Sequence, residues 1–305
     1  MQDPLVSIVI PVYNGSNFMR EAIDSALAQT YSNIEILVVN DGSTDDTREI
    51  ALSYGDKIRY FEKENGGVAT ALNLAIREMK GAYFSWLSHD DWYTPDKVEA
   101  EIEALRKSGN MDQVVSSDWD LVRYPSGEHQ RVHADRFGKH LARTGWFATV
   151  MWLINGCALL IPKAYFDIYG GFDENLRTAN DGEKWFQMFK NKKFVYVNKS
   201  LVRNRIHGES VTSTYDGLQE ENDKVTAWMM KGLQSIDVEK DGINLYQLYS
   251  LQLAKCIVFG LKRTQRVFVD FLKSVTETEG AEEKRKKLRE KIYRLEKPIY
   301  VMSAQ

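Results

Sequence analysis

Strand-like and helix-like segments alternate through the first third of the chain, and this alternation constrains the fold more than any other feature. Short apolar runs of strand length alternate with segments that repeat their apolar residues at helical spacing. We predict strands over 6–12, 34–39, 58–61 and 83–87, helices over 17–29 and 47–54, and a third helix opening at the glycines of ENGGVATALN. The pattern predicts an α/β fold with a mainly parallel sheet flanked by helices.

Polar residues follow three of the predicted strands at the point where each strand ends. Tyr13 and Asn14 follow the first strand, Asp41 follows the second, and Asp90 and Asp91 follow the fourth. In open parallel sheets, ligands bind outside the carboxyl ends of the strands. The sequence therefore predicts a single ligand site at this edge of the sheet.

Two of these features also have simpler explanations. Asp41 precedes STDD, which is good N-cap chemistry for the next helix, so a turn or cap role stays open. Gly66 and Gly67 allow close backbone approach, which suits either a phosphate or ribose loop or a tight connection. Their segment is neither GxGxxG nor a Walker A sequence. The segment after the first strand, PVYNGSNF, also lacks GxGxxG, which argues against an NAD-dependent oxidoreductase.

His89, Asp90 and Asp91 stand side by side between an apolar run and a Trp. Adjacent carboxylates repel each other, and burying them is costly unless something neutralises them. A solvated loop, a metal site and a polar sugar-nucleotide pocket would each explain them. Mg²⁺ and Mn²⁺ favour carboxylate oxygens, and no Cys/His cluster indicates zinc.

Two further residues are candidates for chemistry in the second half of the chain. Asp181 lies where an amphipathic helix is predicted to begin, so an N-cap role and a catalytic role are both open. His207, in RIHGES, suits a metal ligand, a proton donor or a loop histidine held by local hydrogen bonds.

Composition bears on the class of ligand and on the cellular compartment of the protein. The 305 residues carry a formal net charge of −3, which gives no support to a nucleic-acid binder. Cys157 and Cys256 show no disulfide or metal-thiolate spacing, and the N-terminus shows no secretion signal, so we expect a cytoplasmic protein. The uncharged run 145–161 is interrupted by Asn155-Gly156, which favours a short helix, a turn and a buried strand over a membrane span.

The chain changes character from about residue 215 and becomes helical, mainly over 245–263 and 281–297. Lys262, Arg263, Arg266 and the basic stretch 284–294 could lie on anionic lipid on the inner face of a membrane. Interleaved glutamates favour an ordinary solvated helix or a contact between copies of the chain. We therefore expect a domain over 1–214 and a helical extension over 215–305.

Together, the segments resemble the inverting family 2 glycosyltransferases with the GT-A fold, a Rossmann-like fold. The resemblance covers residue 5 to about 212. Its matches, in order, are SIVIPVYNG at 7–15, EILVVNDGSTDDT at 35–47, NGGVATALN at 65–73, WLSHDDW at 86–92, GGFDENL at 170–176, NDGEKW at 180–185 and RIHGESVT at 205–212.

The resemblance implies a role for each matching residue. Asp91 would bind the metal, Asp90 would bind ribose or metal, and His207 would reach the metal or the diphosphate. Asp181 would be the catalytic base. The residues implied in donor binding are Pro11, Tyr13, Asn14, Asp41, Gly66, Asn73 and Asp90, with Tyr13 and Asp41 holding uracil.

Two positions depart from the family pattern: Ser88 replaces the first acidic residue of the metal motif, and Asn180 replaces a Glu beside the base. The implied reaction is inverting sugar transfer from a nucleotide-sugar donor, expected to be a UDP-sugar, with Mn²⁺ or Mg²⁺. The acceptor would be a hydroxyl of a glycan, lipid-linked or protein molecule in cell-surface glycan synthesis. The alternative is a catalytically inactive sugar-nucleotide-binding or scaffold protein.

Overall fold

A computed structural model describes residues 3–135, 143–210 and 214–233 of the chain. The chain divides into two compact units, Met1–Leu218 and Gln219–Gln305. The first unit contains every candidate site residue.

Four parallel strands form the first half of the sheet. They are β1 (Val6–Val12), β2 (Ile34–Asn40), β3 (Arg59–Glu62) and β4 (Tyr83–Trp86). β1 lies between β2 and β4, and β3 pairs with the far side of β2. β1 is buried along its whole length, as expected of a strand covered by helices on both faces.

Helices connect these strands and cover the two faces of the sheet. They are α1 (Met19–Leu27), α2 (Thr47–Leu52) and α3 (Val68–Glu78), with a 3₁₀ turn at Gly55–Lys57. The predicted strands and helices of this region are confirmed, each within two residues at its ends. The predicted α/β class, with parallel strands flanked by helices, is therefore confirmed.

The second half of the sheet is mixed. It contains β5 (Trp92–Tyr93), β6 (Val115–Arg123), β7 (His129–Val132), β8 (Leu159–Pro162) and β9 (Val195–Ile206). Within the described residues the strand order is β3-β2-β1-β4-β8-β6-β9-β5, with β7 paired to β6. β6 and β9 are parallel, whereas β8 runs antiparallel to both β4 and β6.

The helices of the second half are α4 (Lys97–Ser108), α5 (Gly145–Val150), α6 (Ala164–Tyr169) and α7 (Asn180–Phe189). α1 and α4 pack on the face of β1 that presents Ile8 and Ile10. α3 and α7 pack on the opposite face, which presents Val9. Successive side chains of a strand point to opposite faces, so β1 contributes to both halves of the core.

The uncharged run 145–161 folds as α5, a 3₁₀ turn at Gly156–Ala158 and the start of β8. Asn155 Oδ1 accepts a hydrogen bond from the Cys157 backbone at 2.9 Å and so caps that turn. The predicted helix, turn and buried strand are confirmed. Among the helices of the described residues, none is both long and apolar enough to cross a membrane.

The last described helix is α8 (Leu218–Leu233), and all of it after Leu218 belongs to the second unit. The helices predicted over 245–263 and 281–297, with Lys262, Arg263, Arg266 and the basic stretch 284–294, lie outside the described residues. The expected lipid contact and the expected contact between copies of the chain depend on those residues.

Candidate active site

The loops after β1 and β2 are fastened to each other at the carboxyl edge of the sheet. The Asp41 amide donates to the Val12 carbonyl at 2.8 Å. The Asn14 amide donates to Ser43 Oγ at 2.9 Å, and Asn14 Oδ1 accepts from the Thr44 amide at 2.8 Å. Asn14 has a φ of 47°, a left-handed conformation that Asn tolerates better than most residues. This bracing leaves the neighbouring Tyr13 ring 47% exposed at the rim.

Asp41 is the most enclosed of the predicted donor-binding carboxylates. Its Oδ1 lies 2.5 Å from Lys63 Nζ and accepts from the Gly66 amide at 3.1 Å, while Oδ2 accepts from the Gly67 amide at 2.7 Å. The glycine-rich loop therefore places its amides on a side chain of the protein. The assignment of Gly66 to donor binding, as part of a phosphate or ribose loop, stays a prediction.

Asp90 and His207 meet at the same edge. His207 Nε2 lies 2.9 Å from Asp90 Oδ2, and both side chains are largely buried. The Phe18 ring packs edge-on against the His207 ring, with centroids 5.0 Å apart. The segments that follow β4 and β9 thus bring together a carboxylate oxygen and an imidazole nitrogen, and their role in metal binding stays a prediction.

Asp91, which the resemblance assigned to the metal, faces the interior of the protein. Asn204 Nδ2 donates to both of its oxygens at 2.9 Å, and the Arg205 amide donates to Oδ1 at 2.9 Å. Burial, followed by the nearby Asp90 charge, raises the pKa of the Asp91 carboxyl. Asp90 and Asp91 are adjacent in the loop after β4, but their side chains point in different directions. Asp91 hydrogen-bonds with residues of β9 in the interior, whereas Asp90 contacts His207.

Arg205 is a site residue that the sequence analysis missed. Its Nε donates to the Asp90 carbonyl at 2.9 Å. Its guanidinium lies 4.4 Å from the Phe18 ring centroid and 4.7 Å from the Trp92 centroid, and it forms an ion pair with Glu21. The spacing of Arg205 from His207 could have indicated its role. Residues i and i+2 of a strand share a face, and His207 lies two positions after Arg205.

His89 supports the same loop from behind. The Pro11 backbone hydrogen-bonds with its side chain, and burial lowers the pKa of the imidazole. A Cβ built on Gly15 would lie 2.5 Å from the His89 ring, so glycine is required there. Pro11 pairs with Val39 within the sheet. Its observed link to the site is the backbone hydrogen bond with the His89 side chain.

Asp181 lies in the first turn of α7, one residue after the start of the helix. The helix begins at Asn180 with Ala179 at the N-cap position, so the open N-cap interpretation of Asp181 is wrong. Its Oδ1 accepts from the Gly182 amide at 2.6 Å. Burial raises the pKa of Asp181 to about 6, which is nearer neutrality than an ordinary aspartate.

Asn73, which the resemblance assigned to donor binding, holds two segments of the protein together. Its Oδ1 accepts from the Phe172 amide at 2.7 Å, and its Nδ2 donates to the Phe172 carbonyl at 3.0 Å and to Glu174 at 2.8 Å. A Cβ on Gly171 would lie 2.2 Å from Asn73 Oδ1, so this contact also needs a glycine.

No group of three His, Cys, Asp or Glu side chains with metal-binding geometry occurs in the part of the chain that the structure describes. Asp90 and His207 nevertheless offer one oxygen and one nitrogen donor close together. This donor set suits Mn²⁺ or Mg²⁺ only if the substrate contributes further oxygens.

Comparison with known proteins identifies the family of the chain. The model of the family described as "Glycosyl transferase family 2" matches residues 7–167. The chain belongs to glycosyltransferase family 2. An uncharacterized glycosyltransferase of Rickettsia prowazekii (strain Madrid E) is 49% identical over 231 residues, which cover 75% of this chain and 73% of the relative.

Two solved structures with the GT-A fold resemble this family 2 member, which confirms the predicted GT-A arrangement. S. aureus TarS 1–349 in complex with UDP-GlcNAc matches 89% of this chain and 80% of its own chain, at 17% identity and a TM-score of 0.67. The mannosyltransferase PcManGT from Pyrobaculum calidifontis, in complex with GDP-Man and Mn²⁺, matches 99% of this chain and 84% of its own, at 15% identity and a TM-score of 0.56.

Proposed function

We propose that this family 2 glycosyltransferase moves a hexosyl or N-acetylhexosaminyl group from a UDP-sugar to a hydroxyl acceptor, with inversion at the anomeric carbon. The observation that carries the proposal is the Asp90–His207 pair at the carboxyl edge of the sheet, 2.9 Å apart and flanked by Arg205. The acceptor belongs to the glycan, lipid-linked or protein class. Residues 1–214 would form the transferase domain and residues 215–305 a helical extension.

Asp90 and His207 would hold a divalent cation, Mn²⁺ or Mg²⁺, together with the donor diphosphate. When bound, such a cation supplies positive charge that stabilises the departing diphosphate. Asp91 supports this arrangement from the interior. Its hydrogen bonds to Asn204 and to the Arg205 amide fix the loop that carries Asp90.

The nucleoside would lie at the other end of the edge, where Tyr13 and Asp41 face the same loop junction. An exposed aromatic ring offers a stacking surface for a base, and a carboxylate accepts the N3–H of uracil. The UDP-GlcNAc complex of S. aureus TarS supports the choice of uridine only as an analogy between folds.

Asp181 would be the general base. The acceptor hydroxyl oxygen forms a bond to the anomeric carbon on the face opposite the diphosphate, and the bond from that carbon to the diphosphate oxygen breaks. The hydroxyl proton passes to Asp181. A carboxylate with a pKa of about 6 is charged at neutral pH, yet it is a stronger base than an ordinary aspartate.

The test is a screen for nucleoside diphosphate release from UDP-, GDP- and dTDP-sugars with Mn²⁺ or Mg²⁺, with EDTA as the control. We expect release from UDP-sugars that EDTA abolishes. Binding of donors without release under any condition would favour the inactive scaffold. Release that EDTA leaves unchanged would refute the metal assignment.

A further inference from the structure

A cluster of polar side chains on β6, β7 and β9 lies outside the site described above. At its centre is Asp118, a fully buried carboxylate. Its Oδ2 accepts from Arg131 Nη2 at 3.0 Å and lies 3.0 Å from His133 Nδ1. Its Oδ1 accepts from the Tyr196 hydroxyl at 2.6 Å and from the Ala134 amide at 2.9 Å. Hydrogen bonds to both oxygens therefore compensate the burial of this charge.

Asp118 fixes the orientation of two side chains that remain half open to solvent. The Arg131 side chain is 41% exposed and that of His133 is 49% exposed. Arg131 uses Nε and Nη2 on Asp118 and on Asn198, and Nη1 has no hydrogen-bond partner within the described parts of the chain. An ionised carboxylate only accepts, so His133 Nδ1 carries the proton that faces Asp118 and Nε2 is left on the open side.

Strand pairing places this cluster at the carboxyl edge of the sheet. The registers of β4 and β6 against β8 make Ser116 level with Trp86, the last residue of β4. Asp118 follows Ser116 by two residues, so it lies level with the segment just past the end of β4, which leads to Asp90. Two strand spacings separate β6 from β4, a lateral distance of about 10 Å.

The cluster also shares a face of the sheet with Arg205. Trp119 packs into the same core cluster as the inner face of β1, so Asp118 and Asp120 on either side of it point to the opposite face. Asp120 pairs with Arg203 of β9 at 3.1 Å. Arg205 lies two positions after Arg203 and continues that face. A row of polar side chains therefore leads from the cluster to the candidate active site.

The open side of the cluster is complementary to an acidic sugar. A guanidinium binds a carboxylate or a phosphate through parallel N–H donors. A neutral imidazole nitrogen such as His133 Nε2 accepts a hydrogen bond from a sugar hydroxyl. The Asp118 carboxylate lies beneath the Arg131 guanidinium and has no exposed surface, so it does not meet the ligand directly.

We propose that Arg131 and His133 form an acceptor subsite that binds the carboxylate or phosphate group of an acidic glycan. The proposal rests on the proposed function, since it requires that a glycan acceptor reach this edge of the sheet. It extends that function by naming acidic oligosaccharides as the acceptor class. The acidic sugar would lie to the side of the reacting centre, so the acceptor contains more than one sugar.

The experiment is an NMR titration of the full chain, with UDP and Mn²⁺ present, using two pairs of tetrasaccharide probes. One pair is a tetrasaccharide of alternating glucuronic acid and N-acetylglucosamine and its carboxyl-reduced neutral form. The other pair is maltotetraose with one phosphate monoester and unmodified maltotetraose. We expect one acidic probe to bind at least about tenfold more tightly than its neutral counterpart, the effect of one hydrogen bond to a charged group. The pair that shows this preference identifies the group bound as carboxylate or phosphate.

Arg131→Gln removes the guanidinium and should bring the acidic and neutral probes of that pair within about threefold of each other. Arg131→Lys is the second variant, in case Arg131→Gln does not fold. Its ammonium can still pair with Asp118 but lacks the fork that reaches the ligand, so the preference should fall at least about threefold. Arg123→Gln is the matched control, since Arg123 is an exposed arginine of the same hairpin that pairs with Glu128 at 3.6 Å. It should keep the full preference.

An acid preference that persists unchanged in the folded Arg131 variants would overturn the proposal. Equal binding of acidic and neutral probes by an unaltered chain that binds UDP would also overturn it, and would leave the cluster as a support of the β6–β7 hairpin. Failure of the unaltered chain to bind UDP would instead refute the proposed function, and the acceptor role of this subsite with it.

Discussion

His207 Nε2 lies 2.9 Å from Asp90 Oδ2, although the two residues are 117 positions apart in the sequence. β4 delivers Asp90 and β9 delivers His207, and Arg205 links the two by donating to the Asp90 carbonyl. A carboxylate oxygen and an imidazole nitrogen are both typical metal ligands. The hydrogen bond between them fixes the orientation of each side chain.

Asp90 and Asp91 should respond differently to the same substitution. Asp90→Asn removes the charged oxygen that faces His207, so we expect UDP affinity to lose its dependence on Mn²⁺ while the fold persists. Asp91→Asn places an amide NH₂ against Asn204 Nδ2 or the Arg205 amide, and should cost about 1–3 kcal/mol of stability. Calorimetry with and without Mn²⁺, together with thermal unfolding, measures both effects.

The same two variants provide the control for each other. If Asp91→Asn retained full stability but lost metal-dependent binding, Asp91 would be the ligand and the orientation described here would be wrong. If Asp90→Asn bound UDP and Mn²⁺ as well as the unaltered chain, neither Asp90 nor its pair with His207 would form the metal site.

Arg205→Lys tests whether the guanidinium positions the Asp90 loop. Lysine keeps the charge but cannot donate in a fork to the Asp90 carbonyl and Glu21 while stacking on Phe18. We expect the Mn²⁺-dependent part of UDP affinity to fall about 10–100-fold, the range typical of residues that support metal ligands. Binding of uridine, which lacks the diphosphate, should change little.

Arg203→Lys is the matched control for Arg205→Lys. Arg203 lies on the same strand and pairs with Asp120 at 3.1 Å, on a different set of contacts. The Arg203→Lys substitution should leave UDP affinity unchanged, both with and without Mn²⁺. Equal losses for UDP and uridine in Arg205→Lys would show that Arg205 supports the fold only.

Asn73→Ala should affect stability and leave donor affinity unchanged. The substitution removes the hydrogen bonds that the side chain makes with the Phe172 backbone and with Glu174, and leaves buried backbone groups unpaired at a cost of about 1–3 kcal/mol. Urea unfolding gives the stability change, and UDP titration gives the affinity. A large loss of UDP affinity at unchanged stability would return Asn73 to the donor site.

The sequence was sufficient to predict the first half of the sheet because local patterns determine it. β1 and β2 are mostly apolar strands, and the residue after each lies at the same edge whatever the rest of the chain does. The expected site at the carboxyl ends of the strands follows from that topology alone. The helix, turn and strand of 145–161 were predictable for the same reason, since Asn155-Gly156 interrupts the run locally.

The orientation of individual side chains was not predictable, because distant segments decide it. Asp91 turns inward since Asn204 and the Arg205 amide meet it there, and nothing near residue 91 indicates that contact. Asn73 is held by Phe172, which is 99 positions away. Lys63 carried no motif, and only the fold places its ammonium on Asp41.

The pH dependence of sugar transfer tests the role of Asp181 as base. Its pKa is raised to about 6 by burial, and only the deprotonated carboxylate can accept a proton. The rate at saturating donor should therefore fall as pH drops through about 6, approaching a tenfold loss for each pH unit below it. The rate is measured at saturating donor and saturating Mn²⁺ at every pH, because metal binding by histidine and carboxylate side chains itself depends on pH.

The most direct test of the account is the rate of UDP release from a UDP-sugar in the presence of an acceptor, measured for the unaltered chain and for Asp181→Asn. The amide keeps the shape of the side chain but cannot take the hydroxyl proton. We predict a loss of about 10²–10⁴-fold in rate with UDP affinity preserved, and no fall in the residual rate near pH 6. Near-normal transfer by the folded Asp181→Asn variant would contradict the account and give the role of base to another carboxylate, with Glu183 the first candidate.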